Sequence, residues 1–410
     1  MSVRSVLFGF LGVGLMAGAA LADPTTYVGK LGKLDIVVEF TADPGETSDT
    51  VAARYHYRSQ GADIPLQAKA RKARTFELSE EEACKEACVE GQLGPIGATW
   101  TLTVKDGGKT LAGKWASKKK SFDVTLERVA SRSVEGDQPK TPLDLFNFSS
   151  STFYTDSETP ISMETSPYDT LRLDVPYTST EPTGWPDAKF VYVTDPRTKF
   201  PRPRIADLAG DVDFDAANDL LRERHWSDSE QALSCMSQQY AGFQEYGPVP
   251  GGSDGTLGYY DETSSEVLAL TPKLMTWSES GSIFCGGAHP TNFWYKLTMD
   301  VATGEMLGLG DMFTDVVDGV PGPTLQKFVK DTREKPSDQV DVDFEAECGT
   351  DDLISQNLAA SLKREGDGLR IVFGLQGLPH AIQACGDDVL ELPVAEVMPL
   401  LKPEFAALLK

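Results

Sequence analysis

The chain has 410 residues, with 62 Asp or Glu against 38 Lys or Arg, a formal net charge of −24. That balance argues against nucleic acid as a partner, since phosphates need a basic surface. A hydrophobic content of 40% is ample for buried cores.

Residues 1–22 read as a secretory signal peptide. Arg4 gives the positive start, residues 6–20 form an apolar stretch broken by Gly9, Gly12, Gly14 and Gly18, and Ala20-Leu21-Ala22 is a small-x-small cleavage site. The mature chain would start at Asp23 and have 388 residues (410 − 22). The apolar run falls short of the roughly 20 residues a bilayer span needs. No Cys stands near the cleavage site to carry a lipid. The expectation is a periplasmic or secreted protein without stable membrane insertion.

Residues 23–130 read as an N-terminal antiparallel β domain, a meander or small barrel. Leu34–Phe40 is strand-like, residues 50–58 follow after the turn-rich Ala42-Asp-Pro-Gly-Glu46, and residues 100–104 alternate cleanly. Asp106-Gly-Gly turns the chain into residues 110–115, and residues 122–128 close the pattern. Residues 79–88, with three consecutive glutamates, look helical. Lys69-Ala-Arg-Lys-Ala-Arg74 and Lys118-Lys-Lys120 are basic clusters that read as solvated strand ends.

Residues 131–142 are polar, with Gly136, Pro139 and Pro142, and read as a linker. Residues 143–410 read as an α+β domain with a mainly antiparallel sheet and helices, so the fold class is α+β. Charge separates the halves. Residues 23–135 hold 17 Lys/Arg and 17 Asp/Glu; residues 136–410 hold 20 and 45, a net of −25. An acidic surface favours a cationic partner and speeds the encounter with one. In chain order, residues 189–193 form a strand, Asp215 caps a helix running to about His225 and on towards Met236, and residues 266–277 are extended. Residues 293–300 form a strand that turns at Thr303-Gly304 into residues 305–309, and Asp311 looks like a helix N-cap. Residues 324–334 and 352–364 read as helices, residues 369–375 and 389–392 as strands, and a last helical segment runs from Ala395.

The six cysteines are Cys84, Cys88, Cys235, Cys285, Cys348 and Cys385. An even count in an exported chain suggests disulfides. Cys84 and Cys88 are close enough in sequence to pair locally. Cys235 could pair with Cys285, and Cys348 with Cys385, although spacing leaves the connectivity open. The rival reading is a metal site, but none of the four His is spaced with the Cys as in a zinc finger.

No catalytic set stands out. There is no GxSxG elbow, no HExxH zinc motif and no phosphate-binding Gly-rich loop. Cys285 precedes His289 by four positions, but an exported Cys is expected to be oxidised. His56 lies between Tyr55 and Tyr57 in an alternating strand, as surface or packing. His225 sits near a helix end, where a cation is favoured, and His380 follows Leu378-Pro379 in a loop. Asp211-x-Asp213-x-Asp215 begins like a calcium loop, but Arg222 stands where its bidentate Glu belongs. The sequence calls for no cofactor and no metal.

One series of motifs is specific: Gly286-Gly-Ala-His-Pro290, then Asp300-Val-Ala-Thr-Gly304, then Leu309-Gly-Asp-Met-Phe313. It resembles the C-terminal domain of the RsiV-like proteins, a domain of unknown function. That family has a Gly-Gly-Ala-His strand start, an Asp-x-x-Thr-Gly hairpin and a Leu-x-Asp-x-Phe helix start. The resemblance covers roughly residues 235–410. It implies an extracytoplasmic binding module, which binds lysozyme in anti-sigma factors of the RsiV type and accompanies a separate catalytic domain in some peptidoglycan deacetylases. This chain carries neither the anti-sigma segment nor the deacetylase metal motifs. Gly286 and Gly287 would permit a bulge or tight strand start, and His289 would either lock that turn or contact a ligand. The functional expectation is a non-catalytic envelope binding protein for lysozyme or cell-wall glycan. The alternatives are a cell-wall hydrolase using unassigned carboxylates, and a small-ligand carrier acting through the N-terminal β domain.

Overall fold

The computed structural model describes residues 23–84, 94–134, 136–154, 161–243, 258–259, 263–285, 291–333 and 346–410. The first eight strands are β1 (Thr25–Leu31), β2 (Leu34–Phe40), β3 (Ala53–Tyr57), β4 (Ile64–Lys72), β5 (Thr75–Glu81), β6 (Ile96–Lys105), β7 (Thr110–Ser117) and β8 (Ser121–Ser131). Each pairs antiparallel with the next, and β8 returns to β1, so the meander closes into a barrel. Alternation sets the inside. Ala98, Trp100, Leu102 and Val104 of β6 point inward, where Tyr27, Phe40, Tyr55, Phe76 and Leu78 fill the interior. Close strand approach demands glycine at two places: a Cβ on Gly29 would stand 1.9 Å from Thr125 O, and one on Gly113 would stand 1.9 Å from Thr101 O. Residues 79–81, which looked helical, belong to β5, because Leu78 fills the core while β5 pairs with both β4 and β6.

The outer face of β2 and β3 is also buried. Val37, Glu39, Arg54 and His56 face away from the interior and are shut off from solvent. Two helices cover them, α1 (Pro142–Tyr154) on β3 and α2 (Pro167–Leu173) on β2, and the 23-residue α3 (Asp215–Ser237) packs against both helices. Asp215 is in the first turn of α3 rather than its cap; Phe214 holds the cap position, and Asp213 Oδ1 accepts the Asp215 N–H at 3.0 Å.

Beyond the helices lie further antiparallel sheets. β9 (Thr178–Ser179), β10 (Thr183–Trp185), β11 (Ala188–Thr194) and β12 (Pro201–Leu208) form one. β13 (Gly258–Tyr259), β14 (Ser264–Leu270), β15 (Leu274–Phe284) and β16 (Thr291–Asp300) form the second, with β15 central. The stretch expected to be extended over 266–277 is thus two strands, parted by a turn in which Thr271 accepts from the Lys273 and Leu274 amides. Phe190, Ile205, Leu221, Trp277 and Met299 join these two sheets and α3 in one core.

After β16 come α4 (Leu309–Met312), the short hairpin β17 (Val316–Val317) and β18 (Val320–Pro321), α5 (Pro323–Thr332) and α6 (Thr350–Asn357). Asp311 is not the cap of α4 but reaches back to it: Gly308 holds the cap position, and Asp311 Oδ2 accepts its N–H at 2.8 Å. The last sheet is β19 (Leu358–Glu365), β20 (Gly368–Leu375) and β21 (Asp388–Pro393). The helix expected over 352–364 ends at Asn357, and Leu358–Glu365 pairs with β20 through all eight residues. The final helix is broken into α7 (Val394–Val397) and α8 (Pro403–Leu408), with Pro399 and Pro403 between and at the start. Leu325, Val329, Ile354, Leu362, Phe373 and Phe405 form the core of this last part. Among the described residues no helix is long and apolar enough to cross a membrane.

Candidate functional site

Two disulfides are described. Cys235 near the end of α3 is bonded to Cys285 at the tip of β15, with Cα atoms 5.3 Å apart. Cys348 is bonded to Cys385, with Cα atoms 5.6 Å apart. Cys84 is disulfide-bonded as well, and Cys88 lies outside the described residues. The sequence-derived site residues Gly286, Gly287 and His289 also lie outside the described residues. Their anchors are well defined: β15 and β16 pair in unbroken register from Leu274↔Asp300 to Ile283↔Thr291, and the Cys235–Cys285 bond ties that hairpin end to α3.

Strand β16 is aromatic on both faces. Phe293 and Tyr295 stack on one face, with centroids 5.9 Å apart. Trp294 lies on the other, with Lys296 Nζ 5.0 Å from its ring centroid. Tyr295 is 43% exposed. Over its first half the outer edge of β16 is held by side chains: Gln376 Oε1 accepts the Lys296 N–H at 3.2 Å, Gln383 donates to Asn292 O, and Lys296 pairs with Asp388. Trp294, Tyr295, Gln376, Leu378 and Gln383 line a cleft of about 80 Å³ there. His380 opens the 3₁₀ segment His380–Cys385, whose Ile382 is exposed beside the cleft. The arrangement offers rings, amides and one cation on a surface pinned by two disulfides.

On the Tyr295 side of the sheet, where Glu279 of β15 pairs directly with Tyr295 of β16, α3 carries a charged set. Arg224 donates to Glu279 Oε2 at 2.8 Å, while Trp277 Nε1 donates to Glu279 Oε1 at 2.7 Å. Arg202 donates to Asp228 at 2.7 Å. His225 is at mid-helix and not at a helix end; it is buried, with Tyr177 stacked on its ring at 4.7 Å. Burial, then Arg204 and Arg202, push its pKa down from 6.5 to about 3, so it is neutral and not the cation expected from sequence. Arg204 donates to its Nδ1 at 3.4 Å.

A second constellation sits between the barrel and the helices. Arg54 donates to Glu39 at 2.9 Å, to Asp63 at 3.0 Å and to Ser149 at 2.6 Å, and lies 4.1 Å over the Tyr168 ring. Tyr168 donates to Asp63 at 2.6 Å, and Ser149 to Asp169 at 2.8 Å. Arg132 stands 2.9 Å from Glu39, and Arg172 3.6 Å from Asp63 and 3.8 Å from Glu230. All seven charged groups are sealed from water. Burial, outweighing Arg172 and Ser234, raises Glu230 from 4.5 to about 7. His56 is packed against Tyr168 within this seam, and burial followed by the nearby arginines holds it well below the usual histidine range. Sequence reading missed the network, because its members are scattered from residue 39 to residue 230. The available signal was the unbroken apolar run Ile36-Val37-Val38, which marks a strand covered on both faces. Among the described residues, no group of three or more His, Cys, Asp or Glu is arranged to hold a metal.

Fold and face together describe a disulfide-bonded α+β protein with an eight-stranded barrel and an aromatic strand whose Tyr295 is exposed. No protein-family profile matches the chain, and no curated protein matches its sequence. Among solved structures it is similar to a crystal structure of a member of the DUF3298 family from Bacteroides fragilis NCTC 9343. The identity is 14% and the TM-score 0.30, over 57% of this chain and 96% of that one.

Proposed function

We propose that the protein is an exported, non-catalytic envelope protein that binds a cationic protein of the lysozyme type. The contact surface is the end of the β15–β16 hairpin, Gly286, Gly287 and His289 included, together with β16 and the segment His380–Cys385. The observation that carries this reading is the exposed Tyr295 stacked on Phe293, beside Trp294 and Ile382, on a disulfide-pinned edge. Aromatic side chains on a rigid surface are the usual anchors of protein interfaces. The net charge of −25 over residues 136–410 supports a cationic partner. The RsiV-like motif series picks out the same hairpin.

The test is binding of the oxidised protein, residues 23–410, to lysozyme at about 0.15 M salt, with a muramidase assay alongside. Saturable binding that weakens as salt is raised, and that falls by about tenfold or more in Tyr295→Ala, is the expected result. Inhibition of the muramidase would make the protein a lysozyme inhibitor. The reading fails if lysozyme does not bind, or if Tyr295→Ala binds as the parent does. Saturable binding of peptidoglycan fragments in its place would assign the face to cell-wall glycan.

A further inference from the structure

Glu80, on β5 near one end of the barrel, is 9% exposed. Its Oε2 accepts three hydrogen bonds: Trp100 Nε1 at 2.7 Å, Trp115 Nε1 at 2.7 Å and the Tyr55 hydroxyl at 2.9 Å. Three donors converge on one oxygen, which acts as an acceptor; burial raises the Glu80 pKa above the usual carboxylate range, and the hydrogen bonds from Trp100, Trp115 and Tyr55 favour the ionised form against it. A buried carboxylate ordinarily has a cation beside it, since an unpaired buried charge is costly. Glu80 has no Lys, Arg or His as an ion-pair partner among the described residues. Its Oε1 receives no hydrogen bond from a described residue and is not sealed from solvent.

The surroundings are aromatic. Tyr55 packs edge-on against Trp100 at 5.0 Å and Tyr57 at 5.5 Å, and the half-buried Trp115 stacks on the exposed Phe122 at 5.5 Å. Tyr240 reaches the same end of the barrel from the segment after α3, where Gly242 N–H donates to Glu81 Oε2 at 2.8 Å and Cys84 N–H to Gln239 O at 2.9 Å. Burial, then the negative charge of Glu80, raises the Tyr240 pKa. A carboxylate oxygen open to solvent beside tyrosine and tryptophan rings is the chemistry that recognises an organic cation.

We propose that this end of the barrel binds a small alkylammonium cation, with Glu80 as the counter-ion and Tyr57, Trp115 and Tyr240 as the walls. This site is separate from the β16 face and does not depend on the reading of that face. The oxidised protein is titrated with choline and with butylammonium chloride at constant ionic strength, following tryptophan fluorescence and the indole N–H resonances of Trp100 and Trp115. The neutral choline isostere 3,3-dimethylbutan-1-ol and sodium chloride serve as controls. Expected are saturable shifts with the organic cations, none with the alcohol, and loss in Glu80→Gln, whose side-chain carbonyl still accepts from the indoles. Tyr240→Ala, a rim residue outside the barrel strands, should bind several-fold more weakly, and it keeps the test open if Glu80→Gln fails to fold. No saturable response to any cation, an equal response to the alcohol, or unchanged binding in a folded Glu80→Gln would overturn the proposal.

Discussion

His225 and Glu230 lie five positions apart on α3, and their burial gives the protein opposite responses to pH. His225 has a folded pKa near 3, below its ordinary 6.5. Its contribution to stability is therefore complete above pH 6.5 and is lost as the pH falls towards 3. The full shift corresponds to about 5 kcal/mol, at about 1.36 kcal/mol per pKa unit. His225→Gln should flatten the acid side of a denaturant-derived stability curve between those two values, and an unchanged slope would show that the ring is not sealed. Glu230 has a folded pKa near 7, above its ordinary 4.5. Its contribution is in place below pH 4.5 and disappears as the pH rises through 7, on the order of 3 kcal/mol. Glu230→Gln should lose less stability than the parent between pH 5 and pH 8. Equal losses by urea denaturation would mean that Arg172 compensates the charge fully.

At the scale of elements, close packing in the barrel sets the tightest constraints. A methyl on Gly113 would overlap the Thr101 carbonyl of the neighbouring strand. Gly113→Ala should force β6 and β7 apart and cost several kcal/mol, of the order seen for overpacked cores, read as a fall in thermal midpoint. A midpoint within a degree or two of the parent would show that the pair opens freely. The strands legible in the sequence were those with one wet face: β6 and β7 alternate and meet at Asp106-Gly107-Gly108. Leu358-Ala-Ala-Ser-Leu-Lys-Arg-Glu365 misled, since every one of those residues but Ser361 suits a helix. Its conformation is set elsewhere: Gly366 at φ 59° turns the chain, and β20 supplies the partner that puts Leu358, Ala360 and Leu362 into the core. The Cys235–Cys285 and Cys348–Cys385 bonds were nameable as options, but only the fold selects them. Glu80 and its two tryptophans gave no local signal, because Trp100 and Trp115 become neighbours through the β6–β7 register.

At the scale of the whole molecule, the seam between barrel and helices decides how the chain behaves as a unit. Arg54 is held by Glu39 from the barrel, Asp63 from the loop after β3, and Ser149 and Asp169 from the helices. Removing it leaves the sealed carboxylates of Glu39, Asp63 and Asp169 with only Arg132 and Arg172 to pair them. Arg54→Ala should cost about 3–5 kcal/mol, the usual penalty for breaking a buried pair by deleting one partner. It should also split unfolding, seen by tryptophan fluorescence and far-UV circular dichroism, into separate transitions. A single coincident transition with a small loss would mean that Arg132 and Arg172 carry the seam without it.

The same seam constrains descent. Asp169, Arg172 and Glu230 on the helices are paired with barrel charges or with one another in a dry layer, and such residues have no use on a surface facing water. A relative that shed the barrel would be released from that requirement. At the aligned positions it should show ordinary solvent-facing residues that vary freely, whereas relatives that retain the barrel should change these positions only together with Glu39, Arg54 and Asp63.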